Sequence, residues 1–99
     1  MKKTDALVKD VLGGNMQSFE VLYNETSKKI YYVCYSFVKN EHDAMDLMQE
    51  VYLSALTHLS SLKEPERFTQ WISQIAVNKC KDFLTKKVPV LLEEEEMNN

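Results

Sequence analysis

Residues 42–59 read HDAMDLMQEVYLSALTHL, and this stretch decides the fold. From Asp43 onward, at about 100° per residue, Ala44, Leu47, Met48, Val51, Ala55 and Leu59 fall on one side, spaced as a core-facing helical stripe. Opposite them, Asp43, Asp46, Gln49 and Glu50 gather within roughly a third of the circumference, and Leu53 points outward from their midst. An apolar side chain centred in an acidic face suits a docking surface. A solvated helix back with one stray Leu is the alternative, and periodicity leaves both open because scattered surface apolar residues are normal.

Outward from this helix, the rest of the chain follows the same period. Met16, Phe19, Leu22, Tyr23, Ile30, Val33, Cys34 and Phe37 trace a long helix capped by Asn15, and Tyr31, Tyr32, Tyr35 and Val38 widen its apolar arc towards neighbours on two sides. Asn40-Glu41-His42 is a short polar joint, so the two helices should pack antiparallel. Beyond the connection Ser60 to Glu64, Pro65 suits a first helical turn and Glu66 its positive dipole end. Phe68, Ile72, Ile75, Ala76, Cys80 and Phe83 then make a last buried stripe, which Pro89 stops. A short helix from Thr4, as cap, to Leu12 ends at Gly13-Gly14. The sequence therefore predicts an all-α fold, a compact bundle of three main helices (about 15–39, 41–59 and 65–87) plus a short N-terminal helix (about 4–12). Residues 1–88 form the helical domain, and 89–99, with Glu93 to Glu96, an acidic flexible tail or the start of a linker.

Composition narrows the function. With 44% hydrophobic and 27% charged residues over 99 positions, the chain is one domain with a modest core of its own. Two Gly and two Pro are too few for the turns of a sheet. The apolar runs are too short to span or insert into a membrane and no signal peptide precedes the domain, which implies a cytoplasmic protein. Cys34 and Cys80 read as small buried residues of a reducing compartment. No Gly-rich phosphate loop, metal-spaced His pair or nucleophile with a neighbouring base occurs, so neither an enzyme nor a cofactor is expected. His42 and His58 are isolated at opposite ends of one helix.

Charge is distributed unevenly. The net −3 argues against a protein that coats nucleic acid, yet Lys63 to Lys87 holds six basic and three acidic residues. Arg67, Trp71, Gln74, Asn78 and Asp82 lie along one flank of the last helix, with Lys79, Lys81, Lys86 and Lys87 crowding its second half. Rings and amides interleaved with cations suit single-stranded nucleic acid, because bases stack on aromatic faces. A lone Trp at the edge of a small core is the plainer reading.

Asp43-Ala44-Met45-Asp46-Leu47-Met48-Gln49-Glu50-Val51-Tyr52-Leu53, followed by Phe68-Thr69-Gln70-Trp71-Ile72-Ser73-Gln74-Ile75-Ala76-Val77-Asn78, resembles region two of bacterial sigma factors of the extracytoplasmic-function type. The likeness covers about residues 15 to 87, with Phe19 to Tyr23 in the family's first long helix. It implies a non-enzymatic transcription initiation domain that binds the clamp helices of the RNA polymerase beta-prime subunit and recognises and melts the minus-ten promoter element. Carried over by position, Asp46, Gln49, Glu50 and Leu53 would meet the polymerase, whose clamp helices are basic in that family. Leu62, Lys63, Arg67, Trp71 and Asn78 would handle an extruded base of the single-stranded promoter DNA, Trp71 holding the loop against the helix. Lys79, Lys81, Lys86 and Lys87 would meet its backbone. A regulator of the anti-sigma type that masks the Asp46 to Leu53 face is compatible with the resemblance.

Departures from the family pattern are local. Met45 replaces a frequent acidic residue, Leu62 and Glu64 stand where an aromatic residue and a Gly are common, and Thr85-Lys86-Lys87 replaces Arg with point charges. Such factors also carry a helix-turn-helix domain, for which no room remains after Lys87, so the chain reads as a fragment ending in the interdomain linker, as the acidic tail suggests, with a naturally shortened relative as the alternative. The overall acidity and the missing loop aromatic keep a second class open, a helical protein-interaction module without DNA binding.

Overall fold

The computed structural model describes residues 2–87, with side-chain surroundings for 4–86; the proposed tail at 89–99 and the Lys87 side chain lie outside the described residues. Four α-helices follow one another: α1 (Lys2–Leu12), α2 (Met16–Val38), α3 (Glu41–Thr57) and α4 (Phe68–Lys87). Two short 3₁₀ turns, Leu59–Ser61 and Pro65–Arg67, carry the chain from α3 to α4. The all-helical expectation holds, with local corrections at the helix ends.

Thr4 is one of these corrections, since α1 already runs through it. The other end of α1 closes as its glycines require. Asn15 N–H reaches back to Asp10 C=O (2.9 Å) and Gly14 N–H to Val11 C=O (2.9 Å), the paired bonds of a Schellman cap. Gly14 sits at φ 106°, where a side chain would be strained. Asn15 then caps α2, its Oδ1 accepting from Gln17 N–H at 3.1 Å.

α3 starts at Glu41 as the expected bounds had it, so Glu41 and His42 belong to its first turn and the joint is Lys39-Asn40. Lys39, at φ 54°, terminates α2 by donating its N–H to Tyr35 C=O, and Asn40 Oδ1 caps α3 by accepting from Asp43 N–H at 2.8 Å. Two linking residues force a hairpin. Tyr52 of α3 accordingly packs on Phe19 (ring centroids 6.3 Å apart) and Tyr23 (4.6 Å) in the first half of α2.

Core rows run at i, i+4 rather than along a straight stripe. On α4, Phe68, Ile72, Ala76 and Cys80 are all fully buried, with Ile75 and Phe83 packed at the margin. On α2 the buried row is Ser18, Leu22, Thr26, Ile30 and Cys34, so Met16 and Tyr23, expected inside, lie exposed. Two polar side chains enter the core because each finds a partner. Ser18 Oγ donates to Asp10 Oδ2 (3.3 Å), tying α2 to α1. Thr26 Oγ1 donates its single proton to Leu22 C=O (2.8 Å), so Tyr52 must be the donor in the 2.5 Å bond between their hydroxyls. Burial pushes the Tyr52 phenol up to about 12. Val8 and Val11 bring α1 into the same core.

Candidate functional site

Core packing fixes the rotation of α3, and with it the outward face. Ala44, Leu47, Met48, Val51, Tyr52 and Ala55 point inward, which leaves Asp46, Gln49, Glu50 and Leu53 all exposed on the opposite side. Leu53 is 66% exposed, the most open of the large hydrophobic side chains among the described residues. Part of the helix's acidity has a local cause: Glu41 and Asp43 occupy the first turn, where carboxylates offset the helix dipole. Asp43 is half-buried, so it belongs to that turn more than to the outer face. His42 Nδ1 lies 3.6 Å from Asp46 and 4.0 Å from Asp43, ready to pair with both when protonated.

Leu53 stands as a ridge between two grooves. Towards α2, a groove of about 320 Å³ is lined by Phe19, Tyr23, Gln49, Tyr52, Leu53 and Leu56, nearly all apolar. Towards α4, one of about 310 Å³ holds Glu50, Leu53, Ser54, Thr57, His58 and Lys79. The first groove was missed because helical periodicity assigned Phe19 and Tyr23 to the core; the half-buried and exposed positions they take depend on where α3 crosses α2. The expected patch of Asp46, Gln49, Glu50 and Leu53 is thus assembled, with an apolar trough beside it.

Beyond the C-terminal end of α3, the loop after the first 3₁₀ turn, the second turn and the start of α4 build a separate cleft. Leu62, Lys63, Glu64, Arg67, Gln70 and Trp71 line about 320 Å³ of open space. Four residues expected to handle a base, Leu62, Lys63, Arg67 and Trp71, therefore meet there. Trp71 is half-buried against Phe68, ring centroids 6.0 Å apart, so it serves as core edge and cleft wall at once. Glu64 forms an ion pair with Arg67, whose Nη1 also donates to Gln70 Oε1 at 3.4 Å. That pairing holds the guanidinium along the rim.

The remaining expected DNA residues do not form a single cluster. Asn78 is exposed on the Trp71 flank but about two turns along α4, its Oδ1 accepting from Gln74 Nε2 at 3.2 Å. Lys79 and Lys86, seven residues apart, line an about 190 Å³ groove with Leu47, Glu50, Asp82 and Phe83. Lys81 lies about 200° around the helix from Lys79 and faces elsewhere. Counting lysines along the sequence hid this split. Glu50 also acquires a second neighbourhood, since its groove is shared with Lys79 and Lys86.

Cys34 on α2 and Cys80 on α4 are both free thiols buried in the same core. Burial, then the facing Cys80, pushes the Cys34 thiol up to about 12, and burial raises Cys80 as well. Neutral buried thiols of this kind are packing groups and poor nucleophiles. Among the described residues no group of three or more His, Cys, Asp or Glu side chains has a metal-binding arrangement, and no helix is long and apolar enough to cross a membrane.

Comparison with known proteins bears on both surfaces. The chain is 32% identical to the ECF RNA polymerase sigma factor SigW of Bacillus subtilis (strain 168) over 82 residues, 83% of this chain and 44% of that protein. To the RNA polymerase sigma factor SigV of the same strain it is 33% identical over 66 residues, 67% of this chain and 40% of the relative. The RNA polymerase sigma-H factor of Pseudomonas aeruginosa is 28% identical over 81 residues, covering 82% of this chain and 42% of its own length. This chain spans less than half the length of each of these relatives. The family model described as Sigma-70 region 2 matches residues 22–88, from the first half of α2 through α4, and so includes both the α3 face and the cleft. The chain belongs to the sigma-70 family as a region 2 domain of the extracytoplasmic-function type.

Proposed function

We propose that this domain acts in transcription initiation, using the outer face of α3 to grip RNA polymerase and the cleft before α4 to handle the single-stranded minus-ten element. The observation that carries the first half is Leu53, 66% exposed among Asp46, Gln49 and Glu50. A basic helix laid across α3 would bury this side chain and set its own cations against the carboxylates. The clamp helices of the polymerase beta-prime subunit are the partner of that chemistry. Buried apolar anchors supply most of the affinity in such contacts, and the surrounding charges set orientation and rate.

The second half rests on the convergence of Leu62, Lys63, Arg67 and Trp71. An unstacked base entering this cleft would meet the Trp71 edge and the Leu62 side chain, with Lys63 and Arg67 facing phosphate. Asn78, farther along the flank, offers an amide to the next nucleotide. Lys79 and Lys86 contribute backbone contacts from the α3 side of α4, while Lys81 would contact a strand passing on the other side.

Two measurements separate the halves. Gln49→Ala combined with Glu50→Lys is expected to weaken binding to core polymerase, and unchanged affinity would remove the clamp assignment. Asn78→Ala is expected to weaken retention of a minus-ten non-template strand in the polymerase complex while leaving polymerase affinity intact. Capture of polymerase with no effect of Asn78 or Trp71 variants on that strand would instead favour a protein-interaction module.

A further inference from the structure

One exposed aromatic cluster lies outside both surfaces. The sequence placed Tyr31, Tyr32 and Tyr35 against neighbours, yet Tyr32 is 61% exposed and Tyr35 39%. The Tyr31 and Tyr35 rings stack, 24° between planes with centroids 5.9 Å apart, and Tyr32 stands edge-on to Tyr31 at 6.1 Å. Stacking holds this array in place without burying it.

Cations border the rings. Lys28, Tyr32 and Tyr35 follow at i, i+4 and i+7, one row on the side of α2 away from buried Ile30 and Cys34. Lys29 stands exposed beside that row, and Lys39, in its left-handed conformation, ends it. We infer that this face of α2 is a second binding surface, for single-stranded nucleic acid, with Tyr32 and Tyr35 as stacking platforms and Lys28, Lys29 and Lys39 as phosphate contacts. Charge complementarity selects the occupant: exposed flat rings offer π-faces to any base, and Lys28, Lys29 and Lys39 around them outnumber the nearby carboxylates Glu25 and Glu41, which suits a phosphate backbone. An apolar protein segment would have to desolvate those lysines without pairing them. This surface stands independently of the α3 face and the Leu62 to Trp71 cleft.

The test is residue-resolved NMR titration of the full chain with a short oligothymidylate and, separately, a short oligouridylate. Chemical-shift changes at Tyr32, Tyr35, Lys28 and Lys29 are expected, with the ratio between the two oligonucleotides reporting DNA or RNA preference. Replacing both rings, Tyr32→Leu with Tyr35→Leu, retains good helix formers and should weaken binding about tenfold or more, given roughly 1–3 kcal/mol of stacking per base. Tyr32→Phe with Tyr35→Phe should restore it, since the ring and not the hydroxyl does the stacking. Lys28→Gln with Lys29→Gln should flatten the salt dependence. Shifts confined to Leu62 through Asn78, no shifts with either oligonucleotide, or equal binding by the Leu variant would each overturn the inference. A Trp71→Phe variant separates the two surfaces: the α2 shifts should persist whether or not the cleft binds.

Discussion

The outer face of α3 and the cleft before α4 were both expected to bind, but they are built on different physics. The α3 face consists of side chains that the core leaves over: once Ala44, Leu47, Val51 and Ala55 turn inward, Asp46, Gln49, Glu50 and Leu53 have only the solvent side. The cleft consists of the loop from Leu62 to Glu64, the second 3₁₀ turn with its ion pair, and a Trp that also closes the core. Binding and stability are therefore separable on α3 and entangled at the cleft.

Substitution at Trp71 should show that entanglement most strongly. Trp71→Ala is expected to cost about 3 kcal/mol in urea unfolding, because a half-buried indole packed on Phe68 leaves a gap that the turn cannot refill. A loss under about 1 kcal/mol would mean that Trp71 serves the cleft alone, and the contrast between the regions would fail. Next in size is the polar pair beneath the α3 face. Thr26→Val should cost about 1–3 kcal/mol by leaving the buried Tyr52 hydroxyl without its acceptor, and Thr26→Val with Tyr52→Phe should cost less than the two single losses combined. Strict additivity would show that the hydroxyls act separately. The smallest effect belongs to the exposed Glu64–Arg67 pair, where Glu64→Gln should change stability by about 0–1 kcal/mol while freeing the guanidinium for a ligand.

How far the sequence foretold each region follows from the same difference. Helical periodicity reports which way a side chain points around its own axis, so the exposed set on α3 was legible from Asp43 to Leu59. It does not report how helices cross. Thr26 therefore passed unnoticed as a core residue, since its buried hydroxyl is satisfied by Leu22 C=O in its own helix and by the Tyr52 hydroxyl opposite, a pairing that spacing does not show. Tyr23 failed in the reverse sense: its spacing fits the stripe, but the buried row drifts along i, i+4 and leaves it beside the groove. At the cleft, Pro65 announced a helical first turn but not the 3₁₀ geometry that brings Glu64 to Arg67. The lysines of α4 looked like one cluster in sequence and divide in space, because residues two apart point to opposite sides of a helix.

Leu53 gives the most direct test, because it is the most exposed large apolar side chain of α3 and packs into no part of the core. Affinity for core RNA polymerase should be measured for the full chain and for Leu53→Ala, with urea unfolding of both. The expected result is a loss of about 2 kcal/mol in binding with stability unchanged within about 0.5 kcal/mol. Equal affinity of the two chains would contradict the claim that this ridge is the anchor of the polymerase contact.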